Sequence, residues 1–359
     1  MLYRANRTVR VAILTTSYPQ TPGDPAGHFI ETEALRLGGA GGEVHVIAPG
    51  GHGNVPRRGL PRVVRTVGRG PGSVTLWGAG GGSLFGSPGA LWRARQCPFR
   101  LLELVRFLPN VRRLLRALGP FDRTVAHFLV PSGYPLALSA TGEIEVVLHG
   151  SDVRFVAGLP FELRGHVVGR LLDRGARFRF VSHELRFRLT GALGARDRER
   201  LSAASRVELP PIDVPCRPRP NGAHGASARS AESHLLAGRP RWVVCGRLIA
   251  SKGVDRAIRE AARRNVDLTV IGDGPMRAEL EALAASFEPK ATFVGHLPRA
   301  DALALIAGSE RLLHLSEAEG APTVIREARA LGVPVLATPV GDVPGWALED
   351  PGIEIFRPV

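Results

Sequence analysis

From residue 241 onward, short apolar runs rich in β-branched residues alternate with segments whose apolar positions recur every three to four residues. "RWVVCGRL", "VDLTVIG", "ATFVGH", "ERLLHLS" and "VPVLAT" read as strands, and residues 254–264, 275–287, 299–307 and 322–331 between them read as helices. Strict alternation of the two predicts a parallel sheet wrapped by helices on both faces, a doubly wound α/β domain.

The first half repeats the theme less cleanly. "VRVAILTTS", "EVHVIAP", "RTVAHFL", "EIEVVLHG", "RFRFVS" and "SRVELPP" read as strands, with helices over residues 28–38, 99–118, 132–140 and 162–174. Residues 50–92 form a Gly-, Pro- and Arg-rich interval. The pattern predicts two Rossmann-like domains, 1–215 and 241–359, joined by a linker at 216–240 with the composition of a domain boundary. Two such domains would face each other across a central cleft. Open sheets bind ligands beyond the carboxyl ends of their strands, so functional residues are expected just after strands.

A chain of 359 residues has ample capacity for two cores. Cys97, Cys216 and Cys245 show no CxxC spacing, which argues for a reducing compartment and against a disulfide framework or a zinc site. Only a few apolar residues follow the basic N-terminus, too few for a signal-peptide core, and no run approaches the roughly 18 apolar residues of a spanning helix. A cytoplasmic protein is expected, or one attached to a membrane from that side. The net charge of +14 is unevenly placed: residues 1–219 carry 31 Arg and 16 acids, the remainder 16 basic and 17 acidic residues. The basic half suits an anionic bilayer, a phosphorylated substrate or nucleic acid, or reflects Arg-rich codon usage. No recognised nucleic-acid module accompanies the charge, so nucleic acid is not expected as a partner. Basic amphipathic segments near 99–118 and 162–188 could rest on an anionic membrane, or be ordinary covering helices with a solvated face.

Lysine is rare here: Lys252 and Lys290 are the two in the chain. Lys252 sits with Arg247 in "GRLIASKG", a loop directly after a strand, where the glycines permit close backbone approach and the cations suit a diphosphate. Cations near a helix N-terminus oppose its dipole, which favours a functional placement over a structural one.

In "SEAEGAPTVIREA" (316–328), Gly320, Ala321, Pro322 and Thr323 bring a helix N-terminus to a strand end, with Pro322 as the first helical residue; the amides there suit phosphate or hydroxyl oxygens. Glu327, inside the helix, could accept from two vicinal hydroxyls, and Glu319, on the loop, could hold a sugar hydroxyl. Glu317 reads as a solvated flanking charge complementing the helix dipole. "WGAGGGSLFG" lacks a third fingerprint glycine and a following helix, so it is no dinucleotide fingerprint; no D-x-D pair or histidine spacing suggests a metal.

"GRLIASKG", "VIGDGPMRAELEAL", "FVGHLP" and "EGAPTVIREARALGVPVLATPVGDVPG", in this order, resemble the donor domain of the GT-B retaining glycosyltransferases of family 4 (group 1). The resemblance covers nearly the whole second domain. It implies that Glu319 and Glu327 are the family's E-x7-E pair, on the transferred hexose and the ribose, and that Arg247 and Lys252 hold the diphosphate. It puts Gly272 and Gly274 on a donor-contacting turn, and Gly295 with His296 on the loop that meets the base. In the first domain "VLHGSDVR" resembles the family's H-G-x-D segment, placing His149 at the reaction centre; "SYPQTPGDPAGHFI" corresponds to a loop whose Gly27 approaches the phosphate or sugar. His127 and Ser132 of "HFLVPSG" could line the acceptor side, without an assigned role.

The function so implied is transfer of a hexosyl unit, with retention, from a nucleoside-diphosphate sugar to a glycan, glycolipid or lipid-linked acceptor, with no cofactor and no metal. A nucleoside diphosphate leaves without an acid, so the two carboxylates would be positioning groups, not a glycosidase pair. A sugar-nucleotide epimerase and a non-catalytic sugar-nucleotide-binding protein are the rivals. Three departures stand out: "GDVPG", with Asp342 and Gly345, replaces the usual G-G-x-P-E, Ala321 replaces a bulkier residue, and the second domain reads as short at its C-terminus.

Overall fold

Strand β1 (Arg10–Leu14) is central to the first unit, with Val11 to Leu14 fully buried. In the computed structural model, which describes residues 8–19, 26–50, 63–67, 72–85, 90–214, 241–288 and 291–357, this unit runs to Pro211 and a second begins at Ile212. The expected linker at 216–240 lies outside the described residues. The expected boundary at 215 moves forward because Val214 packs against the core of the second unit.

The strands that follow are β2 (Glu43–Ala48), β3 (Val63–Val67), β4 (Val74–Gly78), β5 (Arg123–His127), β6 (Glu143–Leu148), β7 (Arg177–Phe180) and β8 (Ser205–Val207). Their order is β3-β4-β2-β1-β5-β6-β7-β8, parallel except for the β3–β4 pair. The chain steps outward from β1 in one direction through β2 and in the other through β5, so the strand order reverses between β1 and β5. Such a switch point opens a crevice at the strand C-termini.

The structure adds strands that the sequence reading did not assign and alters two of its helices. The Gly- and Pro-rich interval from 50 to 92 contains β3 and β4, and β4 alternates buried Val74 and Leu76 with half-buried neighbours. Residues 132–140 are not a regular helix: the segment Leu129–Ser139 is a run of irregular turns with extended Val130 and Tyr134, because Pro131 and Pro135 lack the N–H groups a helix needs. The segment expected at 99–118 divides into a tight turn-like helix Pro98–Glu103 and the helix Leu104–Leu118, whose Phe107, Val111, Leu114 and Leu115 are buried.

The second unit holds β9 (Arg241–Cys245), β10 (Asp267–Ile271), β11 (Ala291–Gly295), β12 (Arg311–His314), β13 (Val335–Ala337) and β14 (Ile353–Ile355). They form one parallel sheet ordered β11-β10-β9-β12-β13-β14. Helices Val254–Arg263 and Arg277–Ala285 cover one face around Val244, Ile258 and Leu313; Arg299–Ala307 and Thr323–Ala330 cover the other around Val243, Ile325 and Val335. The switch point falls between β9 and β12. It brings together the two loops that the sequence singles out. No helix among the described residues is long and apolar enough to cross a membrane.

Candidate active site

The loop after β9 rises through Gly246 to Lys252 and turns into the helix Val254–Arg263 at Gly253, which is left-handed at φ 61°. A Cβ at Gly253 would lie 2.0 Å from the Leu315 carbonyl, so the glycine lets this loop press against the end of β12. Glu317 N donates to Ser251 O at 2.9 Å and ties the two loops further. Lys252 Nζ is thereby ion-paired with Glu319 Oε1, both side chains largely buried, and His314 Nε2 stands 3.4 Å from the same oxygen. Burial alone would raise the Glu319 carboxyl; contact with His314 and the Lys252 charge outweigh it and hold the group well below the usual carboxylate range. Glu319 is therefore an anion whose neighbours are cationic or donating. Arg247 keeps surface exposure, yet the protein around it lowers its pKa, opposed by the attraction of Glu319. Glu317 is mostly exposed with Arg256 3.7 Å away, as expected of a flanking charge.

Glu327 lies in the helix Thr323–Ala330, 6% exposed, and its Oε1 accepts from Arg299 Nη2 at 2.7 Å. Arg299 opens the helix that follows "GHLP" and also donates to the Asp213 carbonyl. The helix Thr323–Ala330 has no side-chain cap, and Pro322 is its N-cap residue with ψ 110°, not its first helical residue. Gly320 and Pro322 are buried, Ala321 and Thr323 half-buried, and Gly341 closes over them: a Cβ there would meet the Gly320 carbonyl at 2.3 Å. The "GDVPG" departure thus keeps the glycine that this approach requires. Cys245, at the end of β9, has its thiol pushed up to about 12 by burial and then by Glu327, with Lys252 opposing.

The three glycines expected on donor loops have a packing reason of their own. A Cβ on Gly272 would lie 1.9 Å from the Gly246 carbonyl and one on Gly274 2.5 Å from that of Leu248, while Gly272 N donates to Gly295 O at 2.8 Å. The loops after β9, β10 and β11 are stitched edge to edge by these contacts. His296 is exposed beside Gly295, which is left-handed at φ 74°.

In the first unit His149 follows β6 and Gly27 caps the helix His28–Gly39, left-handed at φ 71° against the Ser17 carbonyl. Asp152 Oδ1 accepts from His149 N at 3.2 Å and Gly150 N at 2.8 Å, and Oδ2 from Leu129 N at 2.8 Å, so one buried carboxylate fixes the turns after β5 and β6. His149 Nε2 is 3.0 Å from His127 Nδ1, and the Phe29 and Phe128 rings flank it at 4.9 and 4.8 Å. Burial, then the Arg179 charge, pushes the His149 imidazole down to about 3, so it is neutral at physiological pH. Buried Ser132 stands among the irregular turns after β5.

The structure therefore pairs Lys252 with Glu319, seats Gly320 to Thr323 beside them, and keeps Gly27 and His149 in the other unit. Sequence reading missed Arg299 and His314. Arg299 is a cation at a helix N-terminus, the same anomaly that marked Lys252 and would have found it. Among the described residues no three His, Cys, Asp or Glu side chains converge to hold a metal.

Residues 228–347 match the family model of glycosyl transferases group 1. A GDP-mannose-dependent alpha-mannosyltransferase of Mycobacterium tuberculosis is 30% identical over 270 residues, 69% of this chain and 65% of that protein. A candidate teichuronic acid biosynthesis glycosyltransferase of Bacillus subtilis, TuaC, is 28% identical over 93% of this chain and 82% of its own. The match spans less than two thirds of the GDP-mannose-dependent relatives, 65% of the first of these and 27% of another from Mycolicibacterium smegmatis. Among solved structures, sucrose-phosphate synthase of Thermosynechococcus elongatus superposes with a TM-score of 0.66 at 19% identity over 98% of this chain and 86% of its own.

Proposed function

We propose that the chain, whose residues 228–347 match the group 1 glycosyltransferases and whose fold is that of the GT-B enzymes, moves a hexosyl unit, with retention and without a metal, from a nucleoside-diphosphate sugar to a hydroxyl of a glycan or lipid-linked acceptor. The observation that carries the reading is the Lys252–Glu319 pair at the β9/β12 switch point. A cation and a neighbouring carboxylate there can divide one donor between them, Lys252 and Arg247 on the diphosphate and Glu319 on a hexose hydroxyl.

As the glycosidic bond breaks, negative charge grows on the leaving diphosphate. Cations already fixed by Glu319 and by the loop glycines stabilise it without reorganising, the condition under which electrostatics contribute most. Amides at the uncapped start of the helix Thr323–Ala330 add to the same field. Glu327, oriented by Arg299, accepts from the ribose hydroxyls. Gly272, Gly274, Gly295 and His296 line the nucleotide; the resemblance also assigns the transferred sugar to His149, which is neutral, and the sugar or phosphate to Gly27.

The names of the mannosyltransferase relatives make GDP-mannose the first donor to test. A thermal-shift screen of GDP- and UDP-hexoses, followed by transfer assays with the best ligand, checks the reading; a ligand at a hundred times its Kd adds about 2.7 kcal/mol of stability. No stabilisation by any sugar nucleotide contradicts it.

For the acceptor side a second observation favours a cytoplasmic protein resting on an anionic bilayer. Phe99, Leu102 and Val105 are 80%, 64% and 70% exposed at the start of the basic segment 98–118, beside Arg100 and Arg106, while the helix Leu104–Leu118 that follows buries Phe107, Val111, Leu114 and Leu115. Apolar side chains and arginines together suit a headgroup boundary where a lipid-linked acceptor is held.

A further inference from the structure

His149 does not stand alone: behind it runs a buried line of groups from three elements. His127, at the end of β5 and 0% exposed, puts Nδ1 3.0 Å from His149 Nε2, with the two rings stacked at 18°. On its far side, His127 Nε2 has no hydrogen-bond partner, but Glu33 Oε2 of the helix His28–Gly39 lies 3.8 Å away. We propose that Glu33 and His127 are positioning residues that fix the tautomer of His149, with its proton on Nε2 and the Nδ1 lone pair left to accept a hydroxyl of the transferred sugar. The proposal rests on the reading of His149 as a group that meets the donor hexose.

The proton positions are set electrostatically. Burial holds both imidazoles neutral, so each carries one proton and the contact between them uses one donor and one acceptor. At 3.8 Å the carboxylate is too far for a hydrogen bond but near enough to bias where the proton sits. Burial raises the Glu33 carboxyl and its pairing with Arg179 opposes that; an N–H on His127 Nε2 faces this paired carboxylate, whereas a lone pair there would face carboxylate lone pairs in a dry site. His127 is thereby protonated on Nε2 and accepts on Nδ1. His149 must then donate from Nε2, which leaves Nδ1 bare.

Other charges around the pair do not reverse this. Arg179 of β7 donates to Glu33 Oε1 and stands 3.6 Å from Glu145 of β6 and 3.5 Å from Glu208; its charge lowers both imidazoles and so helps keep them neutral, as the assignment requires. Asp152 spends both oxygens on the backbone amides of Leu129, His149 and Gly150. Arg123 engages Glu145. Among the carboxylates of these described elements, Glu33 is the one within 4 Å of the His127 ring.

Protein labelled with 15N-histidine at pH 7.5 tests the assignment, because protonated and bare imidazole nitrogens resonate far apart, with the His149 signals identified by their loss in His149→Gln. In the wild-type protein His149 is expected as the Nε2–H form. Glu33→Gln keeps the shape but offers an amide N–H to His127 Nε2, and is expected to move His149 toward Nδ1–H. In transfer assays the same change raises KM for the sugar nucleotide about tenfold, the scale of one lost hydrogen bond, with affinity for the free nucleoside diphosphate unchanged. A wild-type His149 protonated on Nδ1, or an unmoved tautomer in Glu33→Gln, overturns the proposal; if that variant does not fold, the wild-type spectrum decides alone. Absence of transfer with every sugar nucleotide would instead count against the function, because the spectra read the relay without turnover.

Discussion

Arg299 Nη2 lies 2.7 Å from Glu327 Oε1, so one oxygen of the carboxylate offered to a ribose is already held by a cation of the same unit. The pair fixes the Glu327 rotamer in a site where an uncompensated charge would be costly.

Arg299→Met leaves that carboxylate buried without its cation. Because the Arg299 side chain is 20% exposed, the expected cost is below that of a fully buried pair, about 2 kcal/mol in urea unfolding, and Glu327→Gln in the same background recovers part of it. A loss under about 0.5 kcal/mol would show that the pair holds nothing in place.

Gly272→Ala separates packing from ligand contact. Its Cβ would enter the Gly246 carbonyl at 1.9 Å from a backbone at φ 131°. The variant is expected to lose about 3 kcal/mol or more of stability with no ligand present. Unchanged stability with weakened donor binding would return this glycine to a purely ligand-facing role.

Acid should weaken the first unit through His149 and His127. The folded pKa of His149 is depressed to about 3, so between that value and the unfolded value near 6.5 the unfolded chain binds the extra proton. Stability is then full above about pH 6.5 and falls as pH drops, by about 1.4 kcal/mol per unit for His149, with His127 adding in the same direction. His149→Gln should reduce the slope of unfolding free energy between pH 6.5 and 4.5. An identical slope would mean that His149 is protonated in the native state.

The membrane reading is checked by co-sedimentation with vesicles of anionic and of zwitterionic lipid. Phe99→Glu with Val105→Glu should abolish binding to the anionic vesicles, and salt should weaken it in the unaltered protein. Equal binding to both lipids, or binding untouched by the two changes, contradicts it.

The strand–helix alternation of the second unit was legible because its central strands are short and buried and helices such as Val254–Arg263 are amphipathic; helix Arg299–Ala307 falls where the alternation predicts. β3 and β4 were not, because their apolar residues sit amid glycine and proline, and β3 is an exposed edge without clean alternation. Lys252 and Glu319 could be read from residue type and place. Arg299 and Glu33 could not be paired with Glu327 and His127 from sequence alone, since 28 and 94 residues separate the partners and only the sheet order brings them together.

In the proposed reaction Lys252 and Glu319 hold the diphosphate and the sugar of one donor. Calorimetric titration of wild type and Lys252→Ala with GDP-mannose and with GDP tests it most directly. The account predicts that loss of Lys252 weakens both ligands by about tenfold or more, the scale of one charge-assisted hydrogen bond. Equal affinity in the two proteins, or no binding of either ligand or of their uridine counterparts to the wild type, would contradict it.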